Sequence, residues 1–391
     1  MDRLSIWQQN INKSPVCQHN IISNNFLVRK GINLIALQEP AISGTGLSIT
    51  SRDWMPVYPS KQSNNPHNTR SIMLIGADIS TENWNQIDFP SRDVTVVQMT
   101  EQWGKITIFN IYNDGEHEDM IRLLTVFHHR NRAALERAEV GEAHTIWLGD
   151  FNRHHPAWDS PEDHRLFTNE AMEAAEKLIE AVADVGLELA LPSGTPTHKH
   201  SVTKRWSRLD QVFLTDHSGD LLTICDTQPE ARGINMDHLP IFTELNLEVA
   251  TLESTSTYNF RGVNWEDFRK ELKQQLDQAA APESIQNQRH LDKSCAELTD
   301  VLQEAIRTQV PMIENTPKSK RWWTRELTQL RARANKLGRA SFKLRNIPEH
   351  RVHKEHKEAK GEYQKTLQNT KQQHWREWLE KAEDLDIWAA N

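Results

Sequence analysis

The first 249 residues alternate short apolar segments with polar turns. The segments are rich in β-branched or aromatic residues and are bounded by Asn, Gly, Pro or Asp, a pattern that is typical of β-strands. They cover residues 4–10, 32–39, 71–76, 94–99, 105–112, 144–149, 210–215 and 241–249. In residues 118–139 and 168–185, apolar side chains recur at helical spacing instead. Because many strands are separated by few helices, the pattern predicts an α+β sandwich rather than a doubly wound sheet.

The pattern changes beyond residue 250. Residues 251–259 are rich in Ser and Thr and lack periodicity, which is typical of a linker. From residue 261 the apolar side chains keep a helical rhythm, as in Trp265, Phe268, Leu272 and Leu276. We therefore predict a domain of residues 1–250 that folds on its own, a linker of residues 251–260, and an α-helical extension of residues 261–391.

Two breaks are expected within the helical extension, at residues 311–320 and at Pro348. The extension has two interpretations. Lys and Glu alternate over residues 354–362 as on exposed helix faces, which favours a solvated helical hairpin. Its apolar seam would consist of Trp322, Trp323, Trp375 and Trp378. The alternative is a nucleic-acid-binding surface, because basic residues are interleaved with aromatic ones.

Charge is distributed unevenly along the chain, whose net charge is −8. Residues 258–391 hold 25 Lys and Arg against 20 Asp and Glu, so the rest of the chain is strongly acidic. Within residues 315–371 the count is 16 basic against 5 acidic residues. Such a stretch is basic enough to bind the phosphate backbone of a nucleic acid. The acidic domain can still act on DNA if its carboxylates bind a metal ion.

Several classes of protein are disfavoured by the composition. The three cysteines, Cys17, Cys225 and Cys295, form no Cys-x-x-Cys pair, which argues against zinc ribbons and disulfide frameworks. No apolar run approaches the roughly 20 residues that a membrane span needs. The first residues lack the basic and apolar regions of a signal peptide. We therefore expect an intracellular protein without a membrane partner.

Polar side chains stand at the ends of several predicted strands. Asn10, Glu39, Asp150 with Asn152, and Asp210 each lie at the end of an apolar run, and Asp237 with His238 precedes the last strand. Strand ends are where a rigid sheet places an active site. Oxygen ligands such as those of Glu39 and Asn10 suit Mg²⁺. Asp237 could orient the imidazole of His238, its neighbour in sequence.

Taken together, these segments resemble the endonuclease/exonuclease/phosphatase superfamily. The resemblance rests on the order QN, LQEP, IYN, GDFN, SRLD and DH, spread over residues 1–249. It implies a four-layer α/β sandwich, in which two packed β-sheets are flanked by helices and a metal site lies at one end.

Longer segments narrow the resemblance to the endonuclease domains of LINE-type (non-LTR) retrotransposons. These are GDFNRHHPAWD (149–159) and GTPTHKHSVTKRWSRLDQVF (194–213). The region after residue 321 resembles the linker that precedes the reverse transcriptase in such elements. No Tyr-x-Asp-Asp polymerase signature occurs, so the resemblance implies a truncated element or one piece of an open reading frame. It further implies DNA as the substrate, element RNA as a partner of the basic extension, and a nuclear location.

The resemblance also implies a role for each site residue. Glu39 would bind Mg²⁺, with Mn²⁺ as a substitute, and Asn10 would lie close to metal and phosphate. The residues expected to act on the phosphate and the attacking water are Asp150, Asn152, His238, Asp237, Tyr112 and Asp210. Whether Asp150 or His238 is the base stays open at this point. Thr197, Ser207 and Arg208 lie where relatives approach DNA.

One residue departs from the family pattern. Met236 stands where relatives usually have a small hydroxyl residue, and methionine donates no hydrogen bond to a phosphate. Two alternatives to a DNA-nicking enzyme therefore stay open. The chain could be a phosphoesterase of the same fold that acts on abasic DNA or on a phospholipid or inositol phosphate. It could also be a transposon fragment that folds without cutting.

Overall fold

The computed structural model divides the chain into two compact units. It describes residues 3–22, 27, 31–62, 65–115, 119–233, 236–250, 258, 260, 263–278, 287–311 and 322–381. The first unit combines Met1–Leu252 with Trp322–Asn391, and the second comprises Glu253–Arg321. The boundary predicted at residue 250 lies close to the end of the first segment, and independent folding of residues 1–250 stays a prediction.

Strands and helices alternate through the first unit. The strands of the described residues are β1 (Leu4–Asn10), β2 (Leu34–Gln38), β3 (Trp54–Val57), β4 (Ser71–Gly76), β5 (Trp84–Ile87), β6 (Val94–Glu101), β7 (Gly104–Tyr112), β8 (Glu142–Asp150), β9 (Leu187–Leu189), β10 (His198–Lys199), β11 (Trp206–Ser207), β12 (Asp210–Thr215), β13 (Leu222–Thr227) and β14 (Ile241–Leu245). The helices are α1 (Pro15–Ile22), α2 (Asp119–Arg130), α3 (Arg132–Glu136), α4 (Asn169–Val185), α5 (Trp265–Gln278), α6 (Gln288–Gln309), α7 (Arg325–Lys343) and α8 (Arg351–Lys381).

Twelve of these strands form two mixed six-stranded sheets. The first has the order β13-β14-β1-β2-β4-β3, and the second has the order β5-β6-β7-β8-β12-β9. Each sheet contains one parallel pair at its centre, β1 with β2 and β7 with β8, and its other pairs are antiparallel. Strands β10 and β11 form a separate short ribbon.

The two sheets pack face to face around the central core, because their middle strands carry apolar residues on both faces. Leu4 and Ile6 of β1 meet the side chains of Ile106, Ile108 and Leu148 in the same buried cluster. The outer face of the second sheet is covered by α2 and α4. Helix α1 covers the outer face of the first sheet. The predicted four-layer α/β sandwich is thereby confirmed.

Helices α7 and α8 form a hairpin that belongs to the first unit. The turn between them contains Pro348, as predicted. Side chains of the hairpin contact the sandwich. The ring of Phe342 lies edge-on to that of Trp206, with 5.3 Å between centroids, and Arg339 lies 3.6 Å from Glu230. The Nζ atom of Lys360 donates a hydrogen bond to the carbonyl oxygen of Gly233 at 3.5 Å.

Other expectations for the C-terminal region have mixed outcomes. Trp375 is about half exposed, so it does not belong to a buried seam, and the side chain of Trp378 lies outside the described residues. The linker at 251–259 and the break at 311–320 also fall almost wholly outside the described residues. In the second unit, α5 and α6 pack against each other. No helix within the described part of the chain combines the length and apolar character needed to cross a membrane.

Candidate active site

Strand ends from both sheets bring the predicted polar residues to one end of the sandwich. Asn10 ends β1, and Glu39 directly follows the neighbouring parallel strand β2. In the second sheet, Tyr112 ends β7 beside Asp150, which ends β8, and Asp150 is paired in turn with Asp210 at the start of β12. The sheet register therefore explains why residues 200 positions apart can share one site.

A hydrogen bond between Asn10 and Asp150 links the two sheets at this end. The Nδ2 atom of Asn10 donates to Oδ2 of Asp150 at 2.9 Å, and both residues are buried. The Oδ1 atom of Asn10 accepts from the backbone nitrogen of Asn12 at 2.9 Å, which fixes the orientation of the amide. The Asp150 carboxylate is therefore held by a side chain from the opposite sheet.

The GDFN motif forms a tight turn that fixes the second oxygen of Asp150. Gly149 has a φ of +146°, and a Cβ atom there would collide with the backbone of Ile111 on β7. Asn152 has a φ of +48°, and its backbone nitrogen donates to Oδ1 of Asp150 at 3.1 Å. Its Nδ2 atom donates to the carbonyl oxygen of Asn113 at 2.8 Å. One N–H of this amide is left for another acceptor.

His238 lies between two buried carboxylates. Its Nδ1 atom lies 2.9 Å from Oδ2 of Asp210, and its Nε2 atom lies 3.9 Å from Oδ2 of Asp150. The expectation that Asp237 orients the ring is corrected by this geometry. Asp237 accepts a hydrogen bond from the backbone nitrogen of His238 at 3.2 Å instead. His238 pairs with His198 in an isolated antiparallel bridge, which fixes the backbone at this position.

The surrounding carboxylates keep the His238 ring protonated. Burial on its own lowers the pKa of His238, but the charge and hydrogen bond of Asp210, followed by the charges of Asp150 and Asp237, raise it to about 10. Burial, and then the charge of Asp210, raise the pKa of Asp150. One imidazolium therefore lies between two buried carboxyl groups.

Glu39 and Tyr112 border the same space. Glu39 is half-buried, has a φ of +45°, and its backbone nitrogen donates to the carbonyl oxygen of Arg70 at 2.9 Å. Burial, and then the charges of Glu39 and Asp150, raise the pKa of Tyr112 to about 12. Both carboxylates are therefore close to the phenol, which stays protonated at neutral pH.

The hydroxyls of Thr197 and Ser207 are engaged inside the fold, and their contact with DNA stays a prediction. Both are buried. The Oγ1 atom of Thr197 accepts hydrogen bonds from the backbone nitrogens of Leu209 and Asp210 at 3.2 and 3.1 Å. The Oγ atom of Ser207 lies 3.2 Å from Nδ1 of His198. These hydroxyls therefore hold the approach to β12 in place.

Arg208 is likewise an internal residue, with 1% of its surface exposed. Its guanidinium donates to the carbonyl oxygens of Leu191, Pro192 and Trp158 at 2.9, 2.7 and 3.3 Å, and to the side chain of Gln211 at 2.9 Å. Burial lowers the pKa of Arg208 to about 10. The residue stabilises the loop before β12, and its expected contact with DNA stays a prediction.

Two residues near the site were not recognised in the sequence. The ring centroid of His198 lies 4.8 Å from that of His238. The second residue is Asn113. Its carbonyl oxygen accepts a hydrogen bond from the side-chain amide of Asn152, and its own Nδ2 atom donates to the carbonyl oxygen of Phe151 at 2.7 Å. The signal for Asn113 was present, since a polar residue directly after the long apolar run of β7 needs buried partners.

Three groups of potential metal ligands occur among the described residues. One consists of Asp150, Asp210 and His238, another of His198, Asp237 and His238, and the third of Glu142, His144 and His217. The first coincides with the strand ends. Its Asp210 Oδ1 atom is buried without a hydrogen-bond partner, so this oxygen is available to a further ligand.

Parts of the chain are similar to known proteins. Residues 106–242 match the family model described as endonuclease-reverse transcriptase. Similar solved structures include the endonuclease domain of TRAS1, a telomere-specific non-LTR retrotransposon, at 16% identity over 63% of this chain and 99% of that chain, with a TM-score of 0.48. They also include the AP endonuclease LMAP from Leishmania major, at 12% identity over 62% of this chain and 88% of that chain, with a TM-score of 0.49.

The APE2 catalytic domain from Xenopus laevis is similar at 14% identity over 64% of this chain and 94% of that chain, with a TM-score of 0.49. No curated protein sequence matches the chain. The family match covers most of the second sheet, both of its site carboxylates and His238. Over residues 106–242 the chain is therefore similar to the endonuclease-reverse transcriptase family.

Proposed function

We propose that the protein is a Mg²⁺-dependent endonuclease that nicks one strand of DNA, as a LINE-type retrotransposon requires for priming. The observation that carries this proposal is the buried group of Asp150, His238 and Asp210, joined by Asn10 from the opposite sheet. Carboxylates and an imidazole at adjacent strand ends supply the acid–base and charged groups that phosphodiester hydrolysis needs.

The residues at this end of the sandwich fit a hard cation. Their ligand atoms are mostly oxygens, and Asp210 Oδ1 is buried without a partner. Glu39 and Asn10 would hold the ion, and Mn²⁺ would substitute because it accepts the same oxygen ligands. When bound, the ion supplies charge stabilisation at the phosphoryl group or leaving oxygen.

Asp150 is the group best placed to accept the proton of the attacking water. Both of its oxygens are already fixed, by the amide of Asn10 and the backbone nitrogen of Asn152, so the carboxylate enters the reaction in one orientation. Carboxylate oxygens have further lone pairs, so a water can still donate to either one. General base catalysis of this kind contributes about 10²–10⁴-fold in rate.

His238 acts as a positive charge rather than as the base. Its ring is protonated because it faces Asp210 and Asp150, so it can donate a hydrogen bond to a phosphoryl oxygen. The protonated phenol of Tyr112 and the remaining N–H of the Asn152 amide are further donors beside it. Donors fixed in advance stabilise the charge that develops on the phosphate in the transition state.

DNA is the substrate that the charge distribution favours. A cavity of about 360 Å³ is lined by Lys13, Asn68, Arg70, Arg92 and Asp114, three of which are basic. It adjoins the site, since the guanidinium of Arg70 lies 4.7 Å from the ring centroid of Tyr112. Arg70 and Arg92 lie beside Asp93, at 2.7 and 4.0 Å, so Lys13 is the basic residue that we expect to meet a phosphate next to the scissile bond. Element RNA, bound by the basic helices, stays a proposed second partner.

The test uses the full-length chain and supercoiled plasmid. We expect open circles in Mg²⁺ or Mn²⁺ and none in EDTA. His238→Ala should reduce nicking by about 10²-fold or more. His217→Ala serves as the matched control, because His217 is exposed and belongs to a different group, so its loss should leave the rate unchanged.

Three results would redirect the assignment. Cleavage confined to duplexes with an abasic site would indicate a repair-type substrate. Release of phosphate from inositol phosphates or phosphoinositide vesicles, without plasmid nicking, would indicate a phosphatase. No activity on any of these substrates would indicate a folded but inactive transposon fragment. Met236 is the residue that motivates this alternative, because it cannot donate a hydrogen bond to a phosphate.

A further inference from the structure

A cleft of about 530 Å³ separates the sandwich from the turn of the α7–α8 hairpin. One wall is residues 194–208, which include β10 and β11, and the other is formed by residues 341–353. Both walls belong to the first unit. The edge-on contact between Trp206 and Phe342 joins them, so the cleft exists only where the helical hairpin meets the sandwich.

The lining of the cleft is strongly basic. Its six basic residues are Arg165, Lys199, Lys204, Arg205, Arg208 and Arg345, against the acidic Glu162 and Asp163. Some of these charges are engaged, since Arg208 binds carbonyl oxygens inside the fold and Arg165 pairs with Asp163 at 2.9 Å. An excess of positive charge remains on both walls.

Arg205 and Arg345 provide this free positive charge, one from each wall. Neither forms an ion pair with any residue that the structure describes. Arg205 is exposed. The guanidinium of Arg345 lies over the ring of Phe342, 4.7 Å from its centroid, and donates a hydrogen bond to the carbonyl oxygen of Phe342 at 3.3 Å. Both guanidinium groups therefore keep N–H donors for an anion in the cleft.

The same wall of the cleft continues into the candidate active site. The backbone nitrogen of Lys199 donates to the carbonyl oxygen of Asp237 at 2.9 Å, and the ring of His198 packs on that of His238. Burial, followed by the charges of Arg232 and Lys204, lowers the pKa of Lys199, so positive charges accumulate along this segment. A polyanion leaving the site along β10 would reach the cleft directly.

We propose that this cleft binds the sugar-phosphate backbone of the substrate DNA beside the scissile bond. The inference rests on the proposed function, because it takes the polyanion to be the DNA that the site cuts. Basic residues on two facing walls suit a chain of regularly spaced phosphates better than a single anion. On this account the helical hairpin is part of the DNA-binding surface of the nuclease.

The experiment measures binding of the full-length chain to a labelled DNA duplex in EDTA, so that no cleavage occurs. Arg205→Ala, Arg345→Ala and the double variant are compared with Arg122→Ala, which removes an exposed arginine from α2 on the outer face of the sandwich. Thermal midpoints verify that each variant folds. If Arg345→Ala is unfolded, Arg345→Gln takes its place.

Each single variant should lower affinity by at least about threefold at 50 mM salt and reduce the slope of log affinity against log salt by about 1. In the double variant, the slope of log affinity against log salt should fall by about twice as much, because the two arginines would contact different phosphates. Arg122→Ala should behave as the wild type. Cleft variants that bind DNA as tightly as Arg122→Ala does would overturn the inference.

The inference and the proposed function can fail separately. If the wild type nicks plasmid and the cleft variants bind DNA with full affinity, only the proposal about the cleft is rejected. If the wild type never nicks plasmid and the cleft variants bind DNA less tightly, the proposed endonuclease activity is rejected and the DNA-binding cleft is retained. An RNA duplex that binds more tightly than DNA, and is more sensitive to the cleft variants, would overturn DNA as the occupant.

Discussion

The Nδ1 atom of His238 lies 2.9 Å from Oδ2 of Asp210, a residue 28 positions earlier in the chain. The carboxylate of Asp237, directly before His238, accepts a hydrogen bond from the backbone nitrogen of that histidine instead. The pairing of β12 with β8 brings Asp210 beside Asp150, and the imidazole then bridges the two carboxylates. The orientation of the ring is thus a product of the tertiary fold and not of the Asp-His dipeptide.

This relationship predicts different effects for two similar substitutions. Asp210→Asn should reduce the nicking rate by about 10²-fold or more, because it removes the charge that keeps the His238 ring protonated and oriented. Asp237→Asn is the matched control and should stay within a few-fold of the wild type, because an amide oxygen can still accept from the His238 nitrogen. Single-turnover nicking rates measure both effects. A larger defect for Asp237→Asn than for Asp210→Asn would show that Asp237, and not Asp210, orients the ring of His238.

The stability of the metal-free protein should depend on pH through His238. Its pKa is raised from 6.5 to about 10 in the fold, so its contribution is complete below about pH 6.5 and is lost as the pH rises toward 10. The difference in thermal midpoint between wild type and His238→Gln, measured in EDTA, should therefore shrink from pH 6.5 to pH 9. A difference that stays constant or grows would show that the ring is neutral in the folded state.

Glu39 should determine the affinity for the divalent ion. Glu39→Gln keeps the size of the side chain and removes its charge, so the Mg²⁺ concentration for half-maximal nicking should rise by at least about tenfold, the smallest loss typical of residues that support a metal site. Mg²⁺ should also raise the thermal midpoint of the wild type but not of this variant. Glu142→Gln, at an exposed residue of the separate group, is the control. An equal response of both variants to Mg²⁺ would contradict the role of Glu39.

Much of the fold could be predicted from the hydrophobic pattern, and the exceptions have a common cause. The eight predicted strands are all present, and all eight lie inside the two sheets, where both neighbours are strands. The strands that were missed include β3, β5, β9 and β13, which are the four edges of the two sheets. Edge strands are partly exposed and carry polar residues, as in WNQI of β5, so their apolar signal is weak.

The site could be predicted only in part. Polar residues at strand ends were visible in the sequence, and Asn10, Asp150 and Asp210 do meet in the structure. The sequence could not reveal which carboxylate holds His238, because that depends on the register of β12 with β8. It also could not separate Arg208, which is buried, from its exposed neighbour Arg205, since both lie in one basic segment.

Burial therefore predicts opposite behaviour for these two arginines. Arg208→Ala should lower the free energy of unfolding by about 3 kcal/mol or more, because hydrogen bonds from a charged group contribute about 1.5–3 kcal/mol and their carbonyl partners would be left unsatisfied. Arg205→Ala should change it by no more than about 0.5 kcal/mol, as is usual for exposed positions. Urea unfolding measures both. An Arg208→Ala protein that is stable but binds DNA less tightly would contradict this structural role. It would support the direct contact between Arg208 and DNA that the sequence predicts.

The single-turnover nicking rate of Asp150→Asn in Mg²⁺ tests the central claim most directly. This substitution preserves the shape of the side chain and removes the carboxylate that Asn10 and Asn152 hold in place. The account predicts a rate about 10²–10⁴-fold below that of the wild type at saturating enzyme, since the proposed base is lost. A variant that nicks supercoiled plasmid at the wild-type rate would show that the chemistry does not take place at this strand end.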